Sequence, residues 1–229
     1  TFSNISYLKD WQATKSNILQ NISSTFSGAD SNDISYFYFS GHGTLLGNAS
    51  YLCPADMTSF INTAISVDEL EAALSTIPGT KIVFLDTCHS GGFIGKAVGE
   101  IQNYKEELEY FNSKIINAFS QAGYKYLLTT NQYKVLTSCH YYQECMELTS
   151  VTPGDFDPFG VFTMGLCEGC GYFGDYLADT NLDTRVSLQE AYLYIKNWVI
   201  ELDAQTPNIN ITQDVQVYPQ NSSFTIVEY

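Results

Sequence analysis

The chain of 229 residues is 45% hydrophobic and 14% aromatic, which excludes a disordered protein, a collagen-like repeat and a small disulfide scaffold. Its 25 acidic residues outnumber its 10 Lys and Arg, giving a formal net charge of −15. Such a surface repels phosphate backbones and anionic membranes, so we expect no nucleic-acid or membrane partner. No domain boundary is visible, and the length suits one large domain over residues 1–229.

The first part of the sequence alternates between helical and strand patterns. Apolar spacing predicts a helix over 13–22, and the short aromatic segment 34–39 is typical of a strand. A capping box that starts at Ser66 predicts a helix ending near residue 77. The continuous apolar run 81–85 then indicates a strand buried on both faces of a parallel sheet. This order predicts an α/β domain with a mostly parallel central sheet flanked by helices.

The rest of the chain contains further helical and strand patterns, most of them shorter. Helices are predicted over 100–120, 162–167 and 190–200, and strands over 126–130, 135–138, 215–218 and 224–227.

Polar, glycine-rich segments directly follow the two clearest strands. One contains His42 and the other contains Cys88. Ligands in open α/β sheets bind beyond the carboxyl ends of the strands, so we expect these two side chains to meet there. An imidazole beside a thiol produces a thiolate nucleophile. The backbone N–H groups of Gly43 and Cys88 are the predicted oxyanion hole.

These two segments carry a family resemblance. Residues 38–43, Tyr-Phe-Ser-Gly-His-Gly, and 85–92, Leu-Asp-Thr-Cys-His-Ser-Gly-Gly, resemble the active-site segments of caspase-like cysteine peptidases. The nearest groups are the metacaspase-like and paracaspase-like enzymes and their clostripain-like bacterial relatives. Cys88 follows His42 by 46 positions, near the spacing of about 50 in caspases. Similar segments at 13–18, 135–139 and 160–163 extend the resemblance over most of the chain.

The resemblance implies a caspase-like fold and peptide-bond hydrolysis through a thioester on Cys88, with His42 as acid and base. The family fold begins with a strand and helix that we do not find here, so we expect them to be missing from this chain. These elements would be removed, disordered or part of a separate processed fragment, so the N-terminal fragment is an expected partner besides the peptide substrate. The resemblance also implies a zymogen that processes itself. We expect a monomer, and the localisation stays open between secreted and cytoplasmic.

The resemblance also implies a substrate preference. Asp86 and Ser40, each two residues before a catalytic residue, match pocket positions that receive an Arg or Lys side chain in the metacaspase-like and clostripain-like enzymes. The alternative for Asp86 is a strand-end cap. Lys96 is a candidate self-cleavage site, and the alternative there is a solvated charged helix.

An acidic segment, 179–190, fits the template of a calcium-binding loop. Its oxygen ligands would be side chains at loop positions 1, 3, 5, 9 and 12 and one backbone carbonyl at position 7. These residues are Asp179, Asn181, Asp183, Ser187 and Glu190, with the carbonyl of Arg185. Thr184 departs from the template, which has Gly at that position. The resemblance favours Ca²⁺ because many related peptidases require it, and the alternative is a metal-free turn.

The sequence leaves two questions open, the state of the cysteines and the function of the chain as a whole. Cys167 and Cys170, with Cys139 and Cys145, have the number of thiols for a zinc site, although the spacing favours free thiols. The chain as a whole is either a peptidase, a catalytically silent calcium-dependent binding module, or a peptide ligase that uses the same acyl-enzyme. No organic cofactor is expected.

Overall fold

The computed structural model describes residues 2–46, 49–58, 61–90, 132–140, 142–148, 159–207 and 211–229. Its helices are α1 (Lys15–Thr25), α2 (Val67–Ser75), α3 (Val161–Gly169) and α4 (Leu188–Gln205). Its strands are β1 (Ile34–Gly41), β2 (Gly43–Leu46), β3 (Ala49–Leu52), β4 (Ile65–Ser66), β5 (Thr80–Thr87), β6 (Tyr133–Thr137), β7 (Glu147–Leu148), β8 (Phe159–Gly160), β9 (Arg185–Ser187), β10 (Gln216–Tyr218) and β11 (Thr225–Glu228). None of these helices is long and apolar enough to cross a membrane.

The central sheet has the strand order β1-β5-β6-β10. Strands β1, β5 and β6 run parallel, and β10 is antiparallel to β6. All but the first residue of β5 are buried, as expected for a strand covered on both faces. The predicted α/β fold with a mostly parallel sheet is therefore confirmed.

Each face of the sheet carries its own hydrophobic core. Successive residues of a strand point to opposite faces, and β5 follows this rule. Val83 and Leu85 pack into the core under α1 and α2, whereas Ile82 and Phe84 pack into the core under α3 and α4. By the same alternation Asp86 belongs to the α3 face. Each fully buried Leu, Ile, Val or Phe contributes about 1.5–3 kcal/mol.

Three of the four helices, α1, α2 and α4, begin at a residue whose side chain accepts a hydrogen bond from the first turn. Thr14 accepts the N–H of Asn17 at the start of α1. Ser66 forms a capping box with Glu69 at α2, as the sequence predicts. A second capping box, formed by Ser187 at α4, was not predicted. Helix α4 buries Leu188, Ala191, Ile195 and Val199, a spacing of three and four residues that gives one apolar face.

Several elements differ from the sequence-based prediction. The hairpin formed by β2 and β3, with β4 beside it, was missed because its strands are only two to four residues long. Residues 2–9 contain no strand. The predicted helix 100–120 and strand 126–130 lie outside the described residues.

Candidate active site

His42 and Cys88 lie at the same edge of the sheet. The parallel register pairs Gly41 with Thr87 at the ends of β1 and β5, so His42 and Cys88 are the next residue on each neighbouring strand. Adjacent strands are about 4.8 Å apart, which brings the two backbones together. The His42 side chain is exposed and Cys88 is half-buried, so both are accessible to a substrate.

Gly43 packs directly against the backbone of the Cys88 segment. A side-chain carbon at this position would overlap the carbonyl oxygen of Cys88 and the hydroxyl of Thr87. The N–H of Cys53 donates to the carbonyl of His42 at 2.9 Å, so Gly43, opposite Leu52, is in a non-hydrogen-bonded pair of the hairpin. Its N–H therefore points away from β3, as an oxyanion donor requires.

The segment after β6 holds the Cys88 turn in place. The N–H of Thr87 donates to Ser138 Oγ at 3.1 Å, and the hydroxyls of Ser90 and Ser138 are 3.0 Å apart. His89 adopts a left-handed conformation with φ of 57°, and its N–H donates to the carbonyl of Gln143 at 2.9 Å. The turn is thus fixed by hydrogen bonds on both sides of Cys88.

Ser40 and Asp86, the two predicted pocket residues, are register partners on β1 and β5, so their side chains point to the same face of the sheet. Asp86 is only 2% exposed. Its Oδ2 accepts hydrogen bonds from the N–H and the hydroxyl of Thr163, at 3.2 and 2.5 Å, in the first turn of α3. Tyr38 shares the hydroxyl of Thr163 at 2.7 Å.

The second carboxylate oxygen of Asp86 lacks the hydrogen bonds that the first one accepts. Asp86 Oδ1 is buried and has no hydrogen-bond partner among the described residues. Burial raises the pKa of this carboxyl, and the bonds from Thr163 and the Ser138 hydroxyl offset only part of the effect. Gly160 leaves room for the carboxylate, because a side-chain carbon there would overlap Oδ2. One oxygen therefore caps α3, and the other has no partner among the described residues.

Comparison with known families supplies the assignment. The family model of the caspase domain matches residues 2–206. The chain belongs to the caspase domain family. It is accordingly a cysteine endopeptidase that acts on peptide or protein substrates. A search of curated proteins found no match to the chain.

The peptidase has a thiol cluster at this edge, which we define as Cys53, Cys88, Cys139 and Cys145. Cys88 Sγ lies 3.6 Å from Cys145 Sγ. Burial raises the pKa values of the Cys53 and Cys139 thiols, and the nearby Cys88 adds to both effects. The sequence did not predict this grouping.

The zinc alternative receives no support from this arrangement. All six cysteines are free thiols. Within the described residues, no group of three or more His, Cys, Asp or Glu side chains is arranged to hold a metal ion. Cys139 and Cys145 lie beside Cys88 rather than in a shared site with Cys167 and Cys170.

The acidic loop of the peptidase, residues 179–190, bonds mainly to itself. Asp179 Oδ2 accepts the N–H of Thr184 at 3.0 Å, and Asn181 Oδ1 accepts the N–H of Asp183 at 2.9 Å. Asp183 Oδ1 in turn accepts the N–H of Arg185 at 3.0 Å. Thr184 adopts the left-handed conformation, with φ of 68°, for which the calcium-loop template has Gly.

Glu190, the last predicted calcium ligand, is also engaged. Its Oε2 accepts the N–H and the hydroxyl of Ser187 at 2.9 and 2.7 Å, and Thr180 donates to Oε1 at 3.3 Å. The oxygen donors are of the type that Ca²⁺ prefers, but the carboxylates do not converge on one point in this conformation. The calcium prediction therefore stays a prediction.

Two findings at this edge were not predicted from the sequence. The contact of Cys145 with Cys88 and the bonds of Thr163 to Asp86 join residues 57 and 77 positions apart. Thr163 belongs to a segment that carries the family resemblance, which was its only signal in the sequence. Lys96, the candidate self-cleavage site, lies outside the described residues.

Proposed function

We propose that this peptidase cleaves peptide bonds after Arg or Lys. The observation that carries the proposal is the buried Oδ1 of Asp86, which has no partner among the described residues. A buried carboxylate oxygen without a hydrogen bond costs free energy, and a cationic side chain would satisfy it. Charge-assisted bonds from an ammonium or guanidinium group to a carboxylate are among the strongest hydrogen bonds in proteins.

The position of Asp86 supports this preference. Asp86 is two residues before Cys88 on β5, and its neighbour across the ladder, Ser40, is two residues before His42. A substrate side chain that lies against the α3 face of these two strand ends would reach the carboxylate while its carbonyl carbon stays near the Cys88 thiol. The net charge of −15 attracts basic segments over a longer range.

The proposed mechanism uses the groups at the end of β1 and β5. The Cys88 thiolate attacks the scissile carbonyl carbon, and the N–H groups of Gly43 and Cys88 stabilise the negative oxygen that develops. His42 protonates the leaving amine and then activates the water that hydrolyses the thioester.

The test is a set of fluorogenic peptides that differ only in the residue before the cleaved bond. Arg is paired with citrulline and Lys with norleucine, because each pair differs mainly in the cation, and Asp and Asn complete the set. We expect cleavage after Arg or Lys only, and none by Cys88→Ala. Equal cleavage of citrulline and Arg peptides, or cleavage after Asp, would disprove the basic preference while leaving the peptidase assignment intact.

We further propose that the acidic loop binds Ca²⁺ through the oxygens of Asp179, Asn181, Asp183, Ser187 and Glu190 and the Arg185 carbonyl. The support is the ligand spacing and the left-handed turn at Thr184. Ca²⁺ at 100 times its Kd should stabilise the fold by about 2.7 kcal/mol, and Mg²⁺ should stabilise it less.

Thermal unfolding with Ca²⁺, Mg²⁺ or chelator tests the calcium proposal without any activity measurement. Asp183→Asn keeps the acceptor for the Arg185 N–H but removes the charge, so it should reduce the Ca²⁺ effect. Asp175→Asn, an exposed acidic residue before the loop, is the matched control. An unchanged melting temperature in Ca²⁺ would show that the loop is a metal-free turn.

The basic preference leads to a proposal about self-processing. Lys96 follows the nucleophile segment by eight positions and is a basic residue that the enzyme itself would accept. Intact-mass measurement of the active wild type should show a cut after Lys96 that Cys88→Ala lacks. Lys96→Gln should abolish this cut and Lys105→Gln should not. An uncut, active wild-type chain would rule out the site.

A further inference from the structure

Cys145 places a second thiol in contact with the nucleophile. Its Sγ lies 3.6 Å from Cys88 Sγ, and its carbonyl oxygen lies 3.8 Å from the same sulfur. The two residues are 57 positions apart in the sequence, so the fold creates the contact. The proposed mechanism gives Cys145 no role.

The segment around Cys145 is anchored on both sides. Before it, the carbonyl of Gln143 accepts the N–H of His89 at 2.9 Å, which ties the segment to the turn that carries Cys88. After it, the N–H of Met146 donates to Gln213 Oε1 at 2.9 Å. The position of Cys145 beside Cys88 is therefore set by backbone contacts on either side.

The other members of the thiol cluster are less well placed for reaction with Cys88. Cys139 is completely buried, and its Sγ is directed to the carbonyls of Thr87 and Gln143 at 3.5 and 3.3 Å. Cys53 is near enough for the charge of Cys88 to affect its pKa, but no hydrogen-bond contact joins its sulfur to that of Cys88 within the described residues. Cys145 is the thiol in contact with the nucleophile.

We propose that Cys88 and Cys145 form a reversible disulfide that switches the peptidase off when it meets a hydroperoxide. A disulfide bond is about 2.05 Å long, so the sulfurs must approach by about 1.5 Å from their present separation. Rotation of the side chains moves sulfur atoms by this distance. The proposal depends on the reactivity of Cys88 but not on the preference for basic substrates.

The reaction has two balanced steps. The Cys88 thiolate attacks one oxygen of hydrogen peroxide, the O–O bond breaks, and the sulfur is oxidised by two electrons to a sulfenic acid while hydroxide leaves. The Cys145 sulfur then attacks the Cys88 sulfur, an S–S bond forms, and the S–O bond breaks. The hydroxyl leaves as water with the Cys145 proton. Two thiols and one peroxide thus give one disulfide and two waters.

The two thiols have different environments, which fits their different roles. Burial raises the pKa of Cys145, and the charges of Asp86 and Cys88 raise it further. Cys145 therefore remains a thiol at neutral pH, and Cys88 is the sulfur that peroxide oxidises first. The disulfide would prevent further oxidation of Cys88 to the sulfinic acid, which most cells cannot reverse.

The test compares wild type, Cys145→Ser and the matched remote variant Cys167→Ser after brief treatment with hydrogen peroxide. In wild type and Cys167→Ser we expect a loss of two hydrogen atoms by intact mass and a linked peptide that contains Cys88 and Cys145. Activity should fall at least tenfold and return with dithiothreitol. In Cys145→Ser we expect addition of two or three oxygen atoms to Cys88 and no recovery of activity.

Two outcomes would overturn the proposal. One is a wild-type enzyme whose Cys88 gains oxygen atoms without a linked peptide, and the other is a link from Cys88 to Cys53 or Cys139. Cys53→Ser is included to test the first of these competing partners directly. The mass measurements do not depend on any peptide substrate, so an incorrect specificity assignment would not affect them.

Discussion

Two buried aspartates show how two regions of the molecule differ. One region is the edge of the sheet where Asp86 lies beside His42 and Cys88, which we call the catalytic edge, and the other is the acidic loop. Asp86 and Asp179 are 2% and 4% exposed, so burial alone would raise the pKa of both. At Asp179, hydrogen bonds from Tyr229 and from the N–H groups of Asp183, Thr184 and Leu182 outweigh burial and lower the pKa. At Asp86, burial outweighs the hydrogen bonds from Thr163 and the Ser138 hydroxyl, so the pKa is raised.

The contrast separates a carboxylate whose oxygens are bonded within the fold from one that has an oxygen without a partner among the described residues. The acidic loop uses its carboxylates to hold its own backbone, so charge there supports the fold. The catalytic edge keeps a carboxylate oxygen without a partner, at some cost in stability, and under the proposed specificity a substrate cation would bind it.

The largest effect is expected from Cys88→Ala. Loss of the nucleophile should lower kcat/KM by roughly 10⁴-fold or more, since the remaining groups only bind and polarise the substrate. The unfolding free energy should change by less than about 1 kcal/mol, because the side chain is half-buried. Steady-state kinetics and urea unfolding measure the two effects, with Cys167→Ala as the matched control. A variant that retains more than a tenth of the activity would show that another group is the nucleophile.

The second prediction concerns Asp86→Asn. Loss of one partner of a buried charge pair costs about 2–5 kcal/mol, so kcat/KM for Arg and Lys peptides should fall by roughly 30- to 5,000-fold. The effect on stability should be the opposite. Because the folded-state pKa of Asp86 is raised, its ionisation destabilises the fold once the pH exceeds both pKa values. The melting temperature at neutral pH should therefore stay the same or rise.

Asp179→Asn is the matched comparison for this stability effect. The folded-state pKa of Asp179 is lowered, so its charge stabilises the fold above the unfolded pKa, and this contribution disappears as the pH falls through the folded value. In chelator at neutral pH the variant should melt at a lower temperature than wild type. If the two Asn variants shift the melting temperature in the same direction, the proposed difference between the regions is wrong.

The sequence predicted the position of the catalytic edge but not the residues that contact it from later segments of the chain. The continuous apolar run of β5 and the polar segments after β1 and β5 were sufficient to place His42, Cys88 and Asp86 at one edge, because adjacent parallel strands end together. Thr163 and Cys145 reach this edge from later segments of the chain. Such contacts depend on how α3 and the segment after β6 pack, and no local periodicity encodes that packing.

The third prediction is a shift in pH dependence. Substrate binding through Asp86 requires its ionised form, so kcat/KM for Arg peptides should fall as the pH drops through its raised pKa. Thr163→Val removes a hydroxyl that donates to Oδ2 and lowers this pKa. The acid limb of the profile should therefore move to higher pH. In an Asp86→Asn background Thr163→Val should cause no further shift, and a shift there would assign the limb to another group.

The smallest effect is expected at the two capping boxes. Ser66→Ala at α2 and Ser187→Ala at α4 each remove the hydroxyl that accepts an N–H of the first turn, which costs about 1 kcal/mol. Chemical denaturation in chelator should give similar losses for both, with kcat/KM unchanged in Ser66→Ala. Added Ca²⁺ distinguishes them, because only Ser187 is a proposed ligand. Equal stabilisation of both variants by Ca²⁺ would leave Ser187 as a helix cap alone and would remove it from the proposed ligands.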